Sequence, residues 1–211
     1  MDTVLFDLDG TLIDTRRLYA AAYGQAFVEV LGAPPSAEEL RARRPASERI
    51  FLVEWYGEAV GGEIHRRMLA HYDAGASTLM GGFFDGIGEM LAAILSAGLR
   101  VGIVTGKSRF AFDVTCRHVD LSAFEVVVVE DDVERAKPDP AGIQRALKLL
   151  GGGEAVYVGD TPMDVEAAHR AGLRGAAALW AWADREGFEI EPDETVWRLA
   201  RPSDLVERLG L

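Results

Sequence analysis

Short apolar runs, separated by longer stretches with helical spacing, constrain the fold of this chain most strongly. The runs lie at residues 4–6, 101–104, 126–129, 156–158 and 176–179. They do not alternate apolar with polar residues, which is typical of strands that are buried on both faces. Strands of this kind occur almost only in parallel sheets that helices cover on both sides. We therefore predict that the five runs are strands of one parallel sheet.

The stretches between the later runs carry the spacing and the start signals of helices. Residues 88–97 and 141–150 place apolar side chains three and four positions apart. Asp139-Pro140 and Thr161-Pro162 each put a capping side chain before a proline, which favours a helix start. Strands that alternate with helices are joined by right-handed crossovers. The pattern predicts an α/β fold with a Rossmann-like, three-layer core.

Residues 15–79 differ from the rest because they contain no run that predicts a strand. Three stretches have helical spacing and a fourth begins with a capping box: 18–31, 47–56, 63–72, and Ser36 with Glu39. A helical block after the first strand of a parallel sheet indicates an inserted domain. We predict a core domain of residues 1–14 and 80–211 and a helical cap domain of residues 15–79.

The net charge of the chain limits the classes of partner that it can bind. Lysine and arginine number 22 against 34 acidic residues, so the formal net charge is −12. Such a surface repels phosphate backbones and anionic lipids, which argues against nucleic acid and membranes as partners. Cys116 is the only cysteine, so the chain forms no internal disulfide, and we interpret Cys116 as a small buried side chain. We expect a cytoplasmic protein.

Polar residues follow three of the predicted strands at the points where those strands end. They are, in chain order, Asp7 and Asp9, then Thr105, then Asp160 and Asp164. Open α/β sheets build their sites at the carboxyl ends of strands, so these side chains can converge. Clustered carboxylates repel one another unless a cation neutralises them, and Mg²⁺ takes carboxylates together with a phosphate. We predict a Mg²⁺ site that serves phosphoryl transfer.

Lysine is rare in this chain. There are three lysines (Lys107, Lys137 and Lys148), so the other 19 of the 22 basic residues are arginines. Lys107 and Lys137 both lie in the polar segments that accompany the predicted site. An arginine-rich chain that keeps lysine there suggests a need for a compact point charge. We expect Lys137 to act in the site, whereas substrate contact and a surface position both stay open for Lys107.

Four segments in order along the chain resemble the motifs of the haloacid dehalogenase superfamily, in its phosphatase branch. They are Asp7-Leu8-Asp9-Gly10-Thr11-Leu12, Thr105 after an apolar strand, Lys137-Pro138, and Gly159-Asp160-Thr161-Pro162-Met163-Asp164. Among the members with a small helical cap, the chain looks like phosphoglycolate phosphatases and the related pyrophosphatases. The dehalogenases and phosphonatases of the superfamily lack an aspartate at the position of Asp9.

The resemblance implies catalytic and metal-binding roles. Asp7 would be the nucleophile that forms an aspartyl-phosphate, and Asp9 would be the general acid and then the general base. Asp7, the backbone carbonyl of Asp9, and Asp160 would hold Mg²⁺. Asp164 would ligate it through water or orient Lys137.

The resemblance also implies how substrate is bound. Thr105 and the backbone at Gly106 would bind phosphoryl oxygens, and Lys137 would neutralise both the phosphate and Asp7. The resemblance does not decide between substrate contact and a surface position for Lys107. A second anion clamp is the other expectation, and its candidates are Arg41, Arg43 and above all Arg44. Such a clamp suits a small phosphorylated substrate such as phosphoglycolate or pyrophosphate. The same arginines could instead form a solvated helix face.

Two other functions stay open. Sugar phosphomutases that resemble this branch carry a cap histidine where this chain has Tyr19. A regulatory binding protein without catalysis could use the same fold. We expect a monomer or a homodimer.

Overall fold

The computed structural model describes residues 1–36, 38–40, 47–182 and 195–211. The strands in this part of the chain are β1 (Thr3–Phe6), β2 (Arg100–Val104), β3 (Val126–Val128), β4 (Ala155–Gly159), β5 (Arg174–Ala178) and β6 (Trp197–Leu199). They form one parallel sheet in the order β3-β2-β1-β4-β5-β6. This confirms the predicted parallel α/β fold and puts β1 near the middle of the sheet.

The helices of the same residues are α1 (Arg16–Leu31), α2 (Ile50–Leu79), α3 (Ile87–Ser96), α4 (Arg109–Cys116), α5 (Ala141–Leu149), α6 (Pro162–Arg170) and α7 (Pro202–Leu209). Alternate residues of β1 point to opposite faces of the sheet. Val4 and Phe6 pack in the core that holds α3 and α7, whereas Leu5 packs with α5 and α6. The sheet is therefore the middle of three layers. Among the described helices, none has both the length and the apolarity to cross a bilayer.

Helices α1 and α2 lie between β1 and α3 in the chain and pack against each other. Their shared core includes Leu18, Phe27, Ile64 and Met68. We call this pair, with the segment that joins its helices, the helical insert. The sequence predicted two helices at 47–56 and 63–72. The structure has one element with a break at Gly57, where φ is 78° and ψ is 165°. The division into domains at residues 15 and 80 stays a prediction.

Some elements escaped the sequence analysis because their signals are short. Strand β6 has three residues, and one of them is Arg198, so it forms no apolar run. Helices α4 and α7 have eight residues each, which is about two turns and too few for a clear period. The interpretation of Cys116 as a buried side chain is wrong. It lies at the exposed end of α4, beside the helix face that buries Phe112.

Candidate active site

The carboxyl ends of three neighbouring strands bring buried polar residues together. Strand β1 pairs with β2 on one side and with β4 on the other. The backbone N–H of Asp7, directly after β1, donates to the carbonyl oxygen of Val158 at 2.8 Å. Asp7, Thr105 and Asp160 follow β1, β2 and β4, and each is at most 6% exposed. The sheet thus places a hydroxyl and two carboxylates at one buried edge.

Lys137 links two carboxylates at this edge. Its Nζ donates to Oδ1 of Asp7 at 2.8 Å and to Oδ1 of Asp164 at 2.5 Å. It also donates to the hydroxyl of Tyr157 at 3.2 Å. That hydroxyl in turn donates to the carbonyl oxygen of Val104 at 2.7 Å, which fixes it across the sheet. The ammonium group is therefore held inside the site and not in solvent.

Asp164 has both carboxylate oxygens engaged. Oδ1 accepts from Lys137, and Oδ2 accepts from the backbone N–H and the hydroxyl of Thr161 at 3.0 and 2.6 Å. Thr161 is the N-cap of α6, and its hydroxyl accepts from the backbone N–H of Asp164, so the two residues form a capping box. These contacts fit the second of the two predicted roles, in which Asp164 orients Lys137.

Burial and neighbouring charges shift the pKa values of Asp7 and Lys137 in opposite directions. Burial raises the pKa of Asp7 to about 7, although the nearby charge of Lys137 pulls in the other direction. Burial also pulls the pKa of Lys137 down, but the charges of Asp164 and Asp7 outweigh it and hold that pKa well above its usual value. Three buried carboxylates, counting Asp160, face one ammonium. The site therefore has a place for further positive charge.

Asp7, Asp160 and Asp164 could hold a metal ion. One carboxylate oxygen of each lies within 4.8 Å of those of the other two. Oxygen donors alone suit a hard cation such as Mg²⁺, and the unbalanced negative charge favours it. Direct ligation by Asp7 and Asp160 stays a prediction. The backbone carbonyl of Asp9 stays a predicted ligand.

Gly10 lets the loop after β1 pass close to Asp160. Its φ is +78°, a conformation that side chains other than glycine rarely adopt, and a Cβ there would lie 2.2 Å from Oδ2 of Asp160. The hydroxyl of Thr11 also donates to Oδ1 of Asp160 at 3.4 Å. This close approach requires glycine.

Asp9 is held by a different set of contacts. Its Oδ1 accepts from the hydroxyl of Thr15 at 2.6 Å and lies 3.1 Å from Nζ of Lys107. Lys107 is buried and also donates to the hydroxyls of Tyr19 and Tyr72, at 2.7 and 2.8 Å. Burial pulls the pKa of Lys107 down, but the neighbouring Asp9 and Tyr72 raise it overall. The surface position that was left open for Lys107 is wrong, because its side chain is buried among these partners. Contact between Lys107 and substrate stays a prediction.

Two buried glutamates that the sequence analysis did not select join the helical insert to the sheet. Glu130, just after β3, accepts from the backbone N–H of Ile50 at 2.7 Å, at the start of α2. Glu48 accepts from the backbone N–H of Ser108 at 3.1 Å and from the hydroxyl of Tyr19. Glu130 follows a predicted strand, so reading the residue after every strand would have found it. Glu48 has no such local signal.

A cavity of about 480 Å³ opens over the strand ends. All of the predicted site residues within the described part of the chain line it. Arg44, like Arg41 and Arg43, lies outside the described residues, so the predicted anion clamp stays a prediction. The wall opposite the carboxylates comes from α1, the segment after it, and the start of α2. The cavity is therefore bounded by the sheet on one side and by the helical insert on the other.

Comparison with known sequences identifies similar proteins along nearly the whole chain. A profile of the haloacid dehalogenase-like hydrolases matches residues 4–178. Pyrophosphatase PpaX of Bacillus velezensis is 33% identical over 225 residues, which cover 99% of this chain and 96% of that protein. The N-acetylmuramic acid 6-phosphate phosphatase of Pseudomonas aeruginosa is 33% identical over 195 residues, which cover 88% and 85%.

Solved structures share the fold. CbbY from Rhodobacter sphaeroides, in complex with phosphate, superposes with a TM-score of 0.79 at 24% identity and covers 97% of this chain and 96% of its own. A hydrolase from Pseudomonas syringae has a TM-score of 0.79 at 22% identity, with coverage of 100% and 98%. At these identities the likeness concerns the architecture.

Proposed function

The chain belongs to the haloacid dehalogenase-like hydrolase family, and we propose that it is a phosphatase that acts on a small phosphorylated metabolite through a covalent intermediate on Asp7. One observation carries the proposal. Lys137 bridges Asp7 and Asp164 in a buried carboxylate cluster at the floor of an open cavity. A buried carboxylate beside a fixed ammonium is an arrangement that suits nucleophilic attack on a phosphorus atom.

In the first step, a carboxylate oxygen of Asp7 attacks the phosphorus and the bond to the leaving oxygen breaks. Lys137, 2.8 Å from Asp7, neutralises charge on both the nucleophile and the phosphoryl group. The Thr105 hydroxyl and the backbone at Gly106, which line the cavity, bind the phosphoryl oxygens. Asp9 would act as the general acid that gives a proton to the leaving oxygen.

In the second step, Asp9 takes a proton from a water molecule whose oxygen attacks the phosphorus. The bond between Asp7 and phosphorus breaks, inorganic phosphate leaves, and Asp9 is protonated again for the next cycle. One residue thus serves as acid and then as base. Both roles require the carboxyl of Asp9 to lie near the cavity, and Asp9 lines it.

Asp7, Asp160 and the backbone carbonyl of Asp9 would hold Mg²⁺, the cation that such oxygen donors suit. When bound, it supplies neutralisation of the carboxylate and phosphoryl charges. The helical insert acts as a cap, residues 15–79, that excludes bulk water from the reaction. Its contacts through Glu48 and Glu130 support this role, because they fix the insert against the strand ends.

Phosphate release from a panel of phosphate esters tests the proposal. We expect turnover with Mg²⁺ that stops on chelation and returns when Mg²⁺ is restored. Asp7→Asn should lower kcat by roughly 10³-fold or more. The matched control is Asp73→Asn, since Asp73 is an exposed aspartate that pairs with Arg117. Full activity of Asp7→Asn would remove Asp7 from its role.

Two results would assign another function. Isomer formation without phosphate release would make the chain a sugar phosphomutase. A biological effect that survives Asp7→Asn unchanged would make it a regulatory binding protein.

A further inference from the structure

We infer that the leaving group of the substrate is an alcohol with an apolar, ring-sized body, which lies between the strand ends and α1. This rests on the proposed phosphatase function and names the substrate class of the same site. Phosphoglycolate and pyrophosphate lie outside this class, because their leaving groups carry a second anion instead of an apolar body. The inference depends on the wall that faces the carboxylates.

The described part of the cavity wall on the side of the helical insert is mostly apolar. Its apolar members include Ala20, Tyr23, Gly24, Phe27, Leu40 and Phe51. Apart from Glu48, the charged groups among the described lining residues lie on the opposite side, at the strand ends. A phosphoryl group bound between Asp7 and Thr105 would therefore point its ester oxygen toward aromatic and aliphatic side chains. Such a surface stabilises an apolar body by excluding water from it.

A second anion would find an unfavourable partner on this side. Glu48 lines the cavity on this side, and its carboxylate, which accepts from the backbone N–H of Ser108 and the hydroxyl of Tyr19, adds negative charge there. Of the described lining residues, the cationic ones are Lys107 and Lys137. Lys137 is engaged by Asp7 and Lys107 by Asp9. An additional buried anion without a counter-charge is costly, so the described walls favour a leaving group without one.

The size of the cavity points in the same direction. The cavity volume of about 480 Å³ lies in the range of roughly 300–1,000 Å³ that is typical of small-molecule sites. That volume exceeds what a phosphoryl group with glycolate would fill.

Gly24 offers a way to close this space without disturbing the fold. It lies inside α1 and lines the cavity, and a Cβ built on it meets no atom within 4 Å. Replacing glycine in a helix by leucine also favours the helix, because glycine loses more backbone freedom on folding. Gly62 in α2 is a matched control, because a Cβ there also meets open space and Gly62 does not line the cavity.

The experiment compares two phosphate esters of primary alcohols, 2-phenylethyl phosphate and ethyl phosphate, with phosphoglycolate and pyrophosphate. We expect 2-phenylethyl phosphate to have the highest kcat/KM, by about tenfold or more over the others. Gly24→Leu should lower kcat/KM for 2-phenylethyl phosphate by roughly 10–100-fold more than for ethyl phosphate, as expected when a hydrophobic pocket is filled. Gly62→Leu should leave the ratio of the two esters as in the wild type.

Either of two results would overturn the inference. One is a preference for phosphoglycolate or pyrophosphate over 2-phenylethyl phosphate. The other is an equal loss for both esters in Gly24→Leu. Calorimetric titration of 2-phenylethyl phosphate separates this inference from the proposed function. One outcome is a protein that binds 2-phenylethyl phosphate and hydrolyses no ester, with binding weakened by Gly24→Leu. That outcome would refute the phosphatase proposal and retain the apolar binding site. Absence of both binding and turnover would refute both.

Discussion

Replacement of Lys107 by methionine tests whether the buried cation holds the sheet and the helical insert together. Lys107 follows β2, and its Nζ contacts Asp9 as well as Tyr19 of α1 and Tyr72 of α2. The ammonium lies 4.5 and 4.4 Å from the centroids of these two tyrosine rings. Methionine keeps much of the side-chain length but removes the charge and the three donors. The variant therefore leaves one carboxylate and two hydroxyls without this partner.

The expected loss can be bounded from the geometry. Two unit charges 3.1 Å apart attract by about 5 kcal/mol at an effective dielectric constant of about 20. The side chain of Asp9 is 22% exposed, and Thr15 still donates to it in the variant, so part of this attraction is replaced. Breaking a buried pair from one side costs about 3–5 kcal/mol. We expect a loss near the lower end, about 3 kcal/mol, which lowers the Tm of a chain of this length by roughly 6–12 °C.

The interaction between Lys107 and Asp9 is measured by urea unfolding of four proteins: wild type, Lys107→Met, Asp9→Asn and the double variant. We expect a coupling free energy of about 1–3 kcal/mol between the two substitutions, since residues in direct contact are not additive. Lys148→Met is the control, because Lys148 is exposed on α5. A loss below about 1 kcal/mol for Lys107→Met, or additive single losses, would refute the reasoning.

Three further predictions concern single residues. Gly10→Ala should weaken Mg²⁺-dependent activity, measured by titration with Mg²⁺, because the added Cβ displaces the carboxylate of Asp160; an unchanged Mg²⁺ dependence would contradict this. Glu130→Ala should cost about 1–2 kcal/mol in urea unfolding, as for other helix N-terminal acceptors, because α2 loses its acceptor; an unchanged midpoint would contradict this. The pKa of Glu63 is lowered to about 2 by hydrogen bonds from two arginines, so its contribution to stability is present above about 4.5 and is lost as the pH falls toward 2. The stability difference between wild type and Glu63→Gln should shrink over that range in urea titrations, and a difference that grows would contradict the assignment.

The sequence allowed most of the candidate site to be predicted because the site follows a rule of topology. Asp7, Thr105 and Asp160 follow strands that are neighbours in the sheet, so knowing the strands was enough to bring them together. Lys137 was selected through its rarity as a lysine and through the motif resemblance. The structure then adds its two carboxylate partners.

The contacts between the sheet and the helical insert could not be predicted in the same way. Lys107 meets Tyr19 and Tyr72 across 88 and 35 residues of chain. No periodicity or capping signal encodes a contact of that kind, because it depends on how two separately packed units meet. The two helices predicted in this stretch are present as two segments of α2 that meet at the non-helical Gly57, but their bounds differ from 47–56 and 63–72. Together they run from Ile50 to Leu79, and the interruption is a single residue, which the spacing of apolar residues did not indicate.

The cavity has two walls that come from separate parts of the chain, and this has a consequence for how such an enzyme can change during evolution. The reacting carboxylates stand on the sheet, whereas the apolar surface that faces them belongs largely to α1. A substitution at Ala20 or Gly24 can alter which molecules fit without moving Asp7 or Lys137. A single substitution of this kind can change the range of substrates while the catalytic residues stay the same.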